Sequence, residues 1–166
     1  MMSTRDLAIL LMSGLVVTAI HGKVFAQERA PVFLEADNIA YDQKKGLSTY
    51  RGNVRLKRGS MRVTADTATV RQNASSIVSL SASGSPVVMK RKEVKYNRVI
   101  TIRGDQLSFD ANSNTVTVWG NVITIRGKDT LRSDRLIYQI NDNRIIAERE
   151  SAKSPVSAEI RPAAKR

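Results

Sequence analysis

The chain has no cysteine, and its single histidine is His21. The first absence excludes a disulfide framework and a thiolate metal site. The second leaves the chain beyond residue 21 without the imidazole or thiol that common nucleophile–base pairs require. Helical patterning is missing as well. No window holds apolar residues at helical spacing for long enough to compete with strands, so a phosphate cradle opening a helix is absent too. Aromatics are few, with one Trp, four Tyr and three Phe in 166 residues. A tightly closed sandwich would want larger fillers to reach native packing density. Acids are outnumbered, 15 against 27 Lys and Arg, giving a formal net charge of +12.

A balance of that kind often marks nucleic-acid binding, but the first residues argue for export. Arg5 supplies a positive start, Ala8 to Ile20 is an uncharged apolar run, and Val24-Phe25-Ala26 has small residues where a signal peptidase reads. Residues 1–26 therefore read as a cleaved signal peptide. The run is short of the ~20 residues that span a bilayer, and an uncut membrane anchor is the rival reading. No nucleic-acid partner is expected. Outside the cytoplasm the polyanions are lipid phosphates, acidic sugars and wall polymers. Lys and Arg spread over most strands would also keep an exposed sheet from pairing with itself. Residues 27–161 are the size of one domain, and residues 162–166 read as a disordered basic tail.

What the chain does contain is one unit written twice. Asp105 to Tyr138 lies without a gap on Asp37 to Val70 at an offset of 68 positions. Asp105 falls on Asp37, Gly120-Asn121-Val122 on Gly52-Asn53-Val54, Arg126-Gly127 on Arg58-Gly59, and Asp134 on Asp66. Turn residues and apolar residues stay in step, which is the mark of a structural repeat. The unit consists of runs rich in Val, Ile, Thr and aromatics, split by Gly, Asn or Asp, and these read as short strands joined by tight turns. The two Gly-Asn pairs read as hairpin turns, and Glu93 to Arg98 as a loose basic link between the units. The expectation is an all-β fold of about sixteen short antiparallel strands, a roll or sandwich built from two repeats. A parallel solenoid fits less well, since its rungs repeat every 20 to 30 residues or so.

Alternate residues of a strand share a face. Val32, Leu34, Ile39, Tyr41, Tyr50, Val54, Leu56, Met61, Val63, Leu107, Phe109, Val116, Val118, Val122 and Leu131 form the apolar set, with Lys, Arg, Thr and Ser between them. They make either an ordinary core or the wall of a groove. Ile123 and Ile125 break the pattern by taking the outward parity; with Trp119 they form an exposed contact patch or a small satellite core. Asp37, Asp66, Asp105 and Asp134 recur at strand junctions, where Asp satisfies nearby backbone amides. A glycosidase would need two such carboxylates facing one another, but a turn role accounts for all four. No catalytic residue, metal site or cofactor is expected.

Glu35-Ala36-Asp37, Gly52-Asn53-Val54, the Gly59 turn, Ala65-Asp66, Gly84-Ser85-Pro86, Gly120-Asn121-Val122 and Ser133-Asp134 together resemble the lipopolysaccharide-transport A proteins, the organic-solvent-tolerance A (OstA-like) family. The likeness runs from about Pro31 to Pro155. It implies a periplasmic protein with a twisted antiparallel β-jellyroll, open at both ends. Such rolls stack head to tail and carry lipopolysaccharide from the inner to the outer membrane, with acyl chains inside. By that resemblance the apolar set above becomes the acyl-chain groove. The partners implied are lipopolysaccharide, an inner-membrane jellyroll at the N-terminal end, an outer-membrane translocon jellyroll at the C-terminal end, and further copies of the chain. Unpaired strand edges at Val32, Phe33 and Leu34 and at Ile145, Ile146 and Val156 are the candidate docking edges. A membrane-anchored cousin of the same pathway, a lipid-free scaffold and a hydrolase acting through Asp37 or Asp105 are the alternatives.

Overall fold

The computed structural model describes residues 31–73, 76–93, 96–149 and 155–160. The signal-peptide segment and the basic tail lie outside the described residues. Ten strands are present among the described residues: β1 (Val32–Glu35), β2 (Asn38–Asp42), β3 (Leu47–Arg58), β4 (Met61–Asn73), β5 (Ser76–Glu93), β6 (Arg98–Asp110), β7 (Thr115–Arg126), β8 (Asp129–Gln139), β9 (Arg144–Glu148) and β10 (Ser157–Glu159). All belong to one antiparallel sheet in which β3 to β8 follow one another as a meander. β1 and β2 lie end to end along β3, and β10 and β9 along β8.

The expected split into about sixteen pieces has a specific origin. Register shifts interrupt the ladders between Arg51 and Val54, Thr64 and Thr67, Ser83 and Val87, Arg103 and Gln106, and Trp119 and Val122. These interruptions fall at one level across the sheet. A bulge bends its strand and increases its twist, so bulges aligned across neighbouring strands add up to a crease. The crease divides each of the six long strands in two, and the four short strands complete sixteen half-strands. It folds the sheet into two facing walls. The first wall holds β1, β10 and the halves of the long strands that pair with them, and the second wall holds β2, β9 and the remaining halves.

The Gly-Asn pairs are therefore bulges and not hairpin turns. Leu47–Arg51 and Val54–Arg58 both pair with β4, so β3 continues past Gly52-Asn53 without reversing. Gly52 (φ +77) and Asn53 (φ 46) are left-handed, as are Gly120 (φ +75) and Asn121 (φ 49). A two-residue hairpin turn asks for the same dihedrals, so the local sequence is compatible with both. The reversals themselves fall at Gly59 and Gly127, as expected.

Between the walls lies one apolar cluster. Its members come from both sides of the crease, among them Leu56, Val63 and Met89 from the first wall and Val70, Val116 and Tyr138 from the second. The cross-strand pairings align these side chains in rows down the roll. One row runs Ile39–Tyr50–Ala68–Ala82–Leu107–Val118–Leu136–Ala147, and its neighbour Tyr41–Ser48–Val70–Leu80–Phe109–Val116–Tyr138–Ile145. With strands about 4.8 Å apart, each row runs along the long axis as an apolar stripe, interrupted only by Ser48 in the second.

Candidate functional site

The crease is built from paired chemistry on alternating strands. Asn53 donates its side-chain amide to Asp37 Oδ2 at 2.8 Å, and Asn121 does the same to Asp105 Oδ2 at 3.2 Å. Between these, the Ser85 amide donates to Asp66 Oδ2 at 3.0 Å. Three of the recurrent acids thus hold the fold line, and Asp134 lies on it in β8. Among the described residues no group of His, Asp or Glu is placed to hold a metal.

Of the expected groove residues, Val54, Leu56, Met61, Val63, Leu107, Val116, Val118 and Val122 lie in the buried cluster. Val32, Leu34, Tyr50, Phe109 and Leu131 pack against it half-buried. Ile39 and Tyr41 are placed differently. Their register puts them on the inner rows, yet each is 59% exposed, because β2 ends the roll and no described residue covers it. Several wall residues were passed over in the sequence: Val87, Met89, Ile100, Ile102, Leu136 and Tyr138 are all at most 2% exposed. A signal was available, since Ile100 and Ile102 fall on Val32 and Leu34 at the repeat offset.

The interior differs between the two ends. Toward β1 an apolar pocket lies between the walls, lined by Val32, Leu56, Met61, Val63, Met89, Ile77, Leu80, Leu107, Phe109 and Val116. Arg58 is the one charged residue in that lining, and its guanidinium sits over the Phe109 ring at 5.3 Å. Toward β8 the rim is bridged by polar groups. Glu93 Oε2 accepts from Arg98 Nε at 2.7 Å, and Oε1 accepts from Arg126 Nη2 at 2.9 Å and from Asn143. Tyr138 donates to Asn143 Oδ1 at 2.8 Å, and Arg91 donates to the Tyr138 hydroxyl and to the Ile140 carbonyl. Arg91, Glu93, Arg98 and Arg126 belong to the first wall and Tyr138 to the second, so the network ties the walls together. Burial pushes the Glu93 carboxyl up, but hydrogen bonds from Arg126, Asn143 and Arg98 override it and lower its pKa to about 2. The segment expected to be a loose link therefore starts at a buried, four-way tie. Its partners Arg126 and Asn143 are distant in sequence, which is why composition alone did not reveal it.

A model of the family described as LptA/(LptD N-terminal domain) LPS transport protein matches residues 34–99 and 101–163. The chain belongs to this family. Each matched segment contains one copy of the repeat, Asp37 to Val70 in the first and Asp105 to Tyr138 in the second. The chain is also similar to the lipopolysaccharide export system protein LptH of Pseudomonas aeruginosa, 25% identical over 109 residues. That match spans 65% of this chain and 62% of the relative's length. In structure it resembles the crystal structure of LptH from Pseudomonas aeruginosa, described as the LptA homologous periplasmic component of the conserved lipopolysaccharide transport device. The TM-score is 0.73 at 23% identity, covering 80% of this chain and 96% of that one. The shared fold is the β-jellyroll, here a creased antiparallel sheet.

For this LptA-family chain the outward aromatic-aliphatic set also has a definite position. Trp119 lies in the second wall and Ile123 and Ile125 in the first, on either side of the bulge at Gly120-Asn121. They do not form one patch. Arg135 covers the Trp119 ring at 5.9 Å, and Ile125 is 37% exposed. At the docking edges, Phe33 is 59% and Val156 40% exposed, while Ile145 and Ile146 are half-buried.

Proposed function

We propose that this LptA-family jellyroll is a periplasmic carrier of lipopolysaccharide, exported through a cleaved signal peptide. It holds acyl chains between its two walls and bridges inner and outer membranes by head-to-tail stacking. An inner-membrane jellyroll would dock at the β1/β2 end and an outer-membrane translocon jellyroll at the β9/β10 end. The main support is the continuous apolar interior between the walls, which narrows to a pocket of about 20 Å³ beside Arg58, so that a chain enters as the walls part. An acyl chain there is surrounded by aliphatic side chains, while a phosphorylated headgroup meets a guanidinium. Burial of about a dozen methylenes is worth roughly 10 kcal/mol, so a lipid with several chains cannot cross water at a useful rate. A row of apolar side chains removes that barrier, because each step exchanges one apolar contact for another.

Head-to-tail stacking has its own support in the rows. One inner row begins at Ile39 and ends at Ala147, and its neighbour begins at Tyr41 and ends at Ile145. Docking the β9 edge of one copy on the β2 edge of the next would continue both stripes without a break. Photo-crosslinking in growing cells tests the carrier role. A crosslinker in place of Phe109, Leu56 or Val116 is expected to capture lipopolysaccharide, and one in place of the outward Lys90 is not. Absence of any adduct from all three inward positions would reject it.

A further inference from the structure

The positive charge that looks evenly spread along the sequence is weighted toward one face. On the outer face of the first wall, Arg55, Lys57, Arg62, Lys90, Arg103 and Arg132 are all exposed. None of the six makes an ion pair with a described residue. Lys57 pairs across the ladder with Arg62, and Arg62 with Lys90, so three like charges stand side by side. Acids on this face are confined to the terminal strands, as Glu35 and Glu159. The outer face of the second wall is different. There Thr67, Thr69, Ser81, Ser83, Ser108 and Thr117 occupy the middle of the sheet, Arg135 is paired with Glu148, and the exposed Arg51, Arg71 and Arg144 each stand opposite neutral residues, never opposite another cation.

Like charges directly opposite each other across a ladder destabilise a sheet. A surface needed only for solubility avoids that cost by interspersing signs. A single-sign face is instead suited to an anionic partner. Apolar side chains are interleaved with the cations: Ile123 stands between Arg103 and Arg132 in register, and Ile125 is 37% and Phe33 59% exposed. Cations able to meet phosphates, with aliphatic and aromatic groups able to enter the acyl boundary, are the chemistry of an interfacial membrane surface. A soluble polyanion would have no use for the apolar members. We propose that the outer face of the first wall is a docking surface for an anionic bilayer, holding a single copy against a membrane before it joins a stack and independently of what its interior carries.

Co-sedimentation of the purified protein with vesicles tests this. Partition onto phosphatidylglycerol-containing vesicles at physiological salt is expected, with little onto pure phosphatidylcholine. The triple variant Lys57→Gln, Arg62→Gln, Lys90→Gln is expected to lose on the order of a hundredfold in partition. A control triple on the second wall, Arg51→Gln, Arg71→Gln, Arg144→Gln, removes the same charge and should stay within about threefold. The first triple relieves repulsion and is expected to unfold no earlier than the parent. If it fails to fold, Arg62→Gln alone should still lose about fivefold. No partition onto anionic vesicles, equal losses in the two triples, or no loss in the first would overturn the proposal. So would binding of soluble polyphosphate without vesicle binding.

Discussion

The Asn53 amide reaches back 16 residues to the Asp37 carboxylate, 2.8 Å away, across the fold line of the sheet. A Cβ built on the intervening Gly52 would collide with that same carboxylate, and Gly52 sits at φ +77. Gly52→Ala therefore meets a left-handed backbone and an occupied space together. A loss of about 1–3 kcal/mol is expected in urea unfolding. Gly120→Ala should behave alike, because Asp105 stands in the same relation to it. Adding Asp37→Ala to Gly52→Ala removes the steric part and should recover some of the loss. Additive costs in that double-mutant cycle would show that the carboxylate does not set the bulge.

Glu93 predicts a pH dependence of defined sign. Its folded pKa of about 2 lies below its ordinary value of 4.5. A depressed folded pKa contributes stability above the unfolded value, lost as pH falls from about 4.5 toward 2. The carboxylate is buried, and the shift corresponds to an order of 3 kcal/mol. Glu93→Gln should lower stability by that order at pH 7, since Arg98 and Arg126 lose the negative charge they pair with. The gap between variant and parent should close below pH 3. An equal gap at pH 7 and pH 3, read from urea midpoints, would assign the role of Glu93 to packing.

The tie at Glu93 also shows where sequence reading stops. Alternation at Val54/Leu56, Met61/Val63 and Val116/Val118 was legible because strand faces repeat every two residues, and it located most of the interior. The crease was not legible at Gly52-Asn53, since a turn and a bulge ask for the same dihedrals, and Asp37 settles the matter from the joint between β1 and β2. Exposure of Ile39 and Tyr41 was not legible either. Parity assigns a face, but only the strand order puts β2 at the end of the roll. The charge on the first wall was hidden for the same reason: no long strand contributes more than two of its six cations, and the meander stacks them.

Arg58 and Phe109 predict how the pocket handles an amphiphile. Phe109 and Arg58 both line the pocket, with the Arg58 guanidinium over the Phe109 ring. Phe109→Ala removes apolar contact from the bound chain and should weaken binding of a fluorescent lipopolysaccharide by roughly tenfold or more. Arg58→Gln should cost a similar factor for a phosphorylated lipid and much less for a dephosphorylated one. Displacement titrations with the two lipids separate these effects. Equal losses for both lipids would remove Arg58 from any headgroup contact and leave it as part of the wall.

Ile39 and Tyr41 predict how copies join. Both lie at the open end of the inner rows and both are 59% exposed. Covering them with the β9 edge of a second copy would bury two large apolar groups, each worth about 1.5–3 kcal/mol. Ile39→Lys with Tyr41→Lys should therefore weaken head-to-tail association by at least about a hundredfold. The fold should hold, because neither side chain belongs to the buried cluster. Sedimentation velocity over a concentration series reads the change directly. Parent protein is expected to shift toward larger species as concentration rises, and the variant to remain at the mass of one copy. A variant that assembles like its parent would place the contact on another edge, with the exposed β1 side chain Phe33 the next position to change.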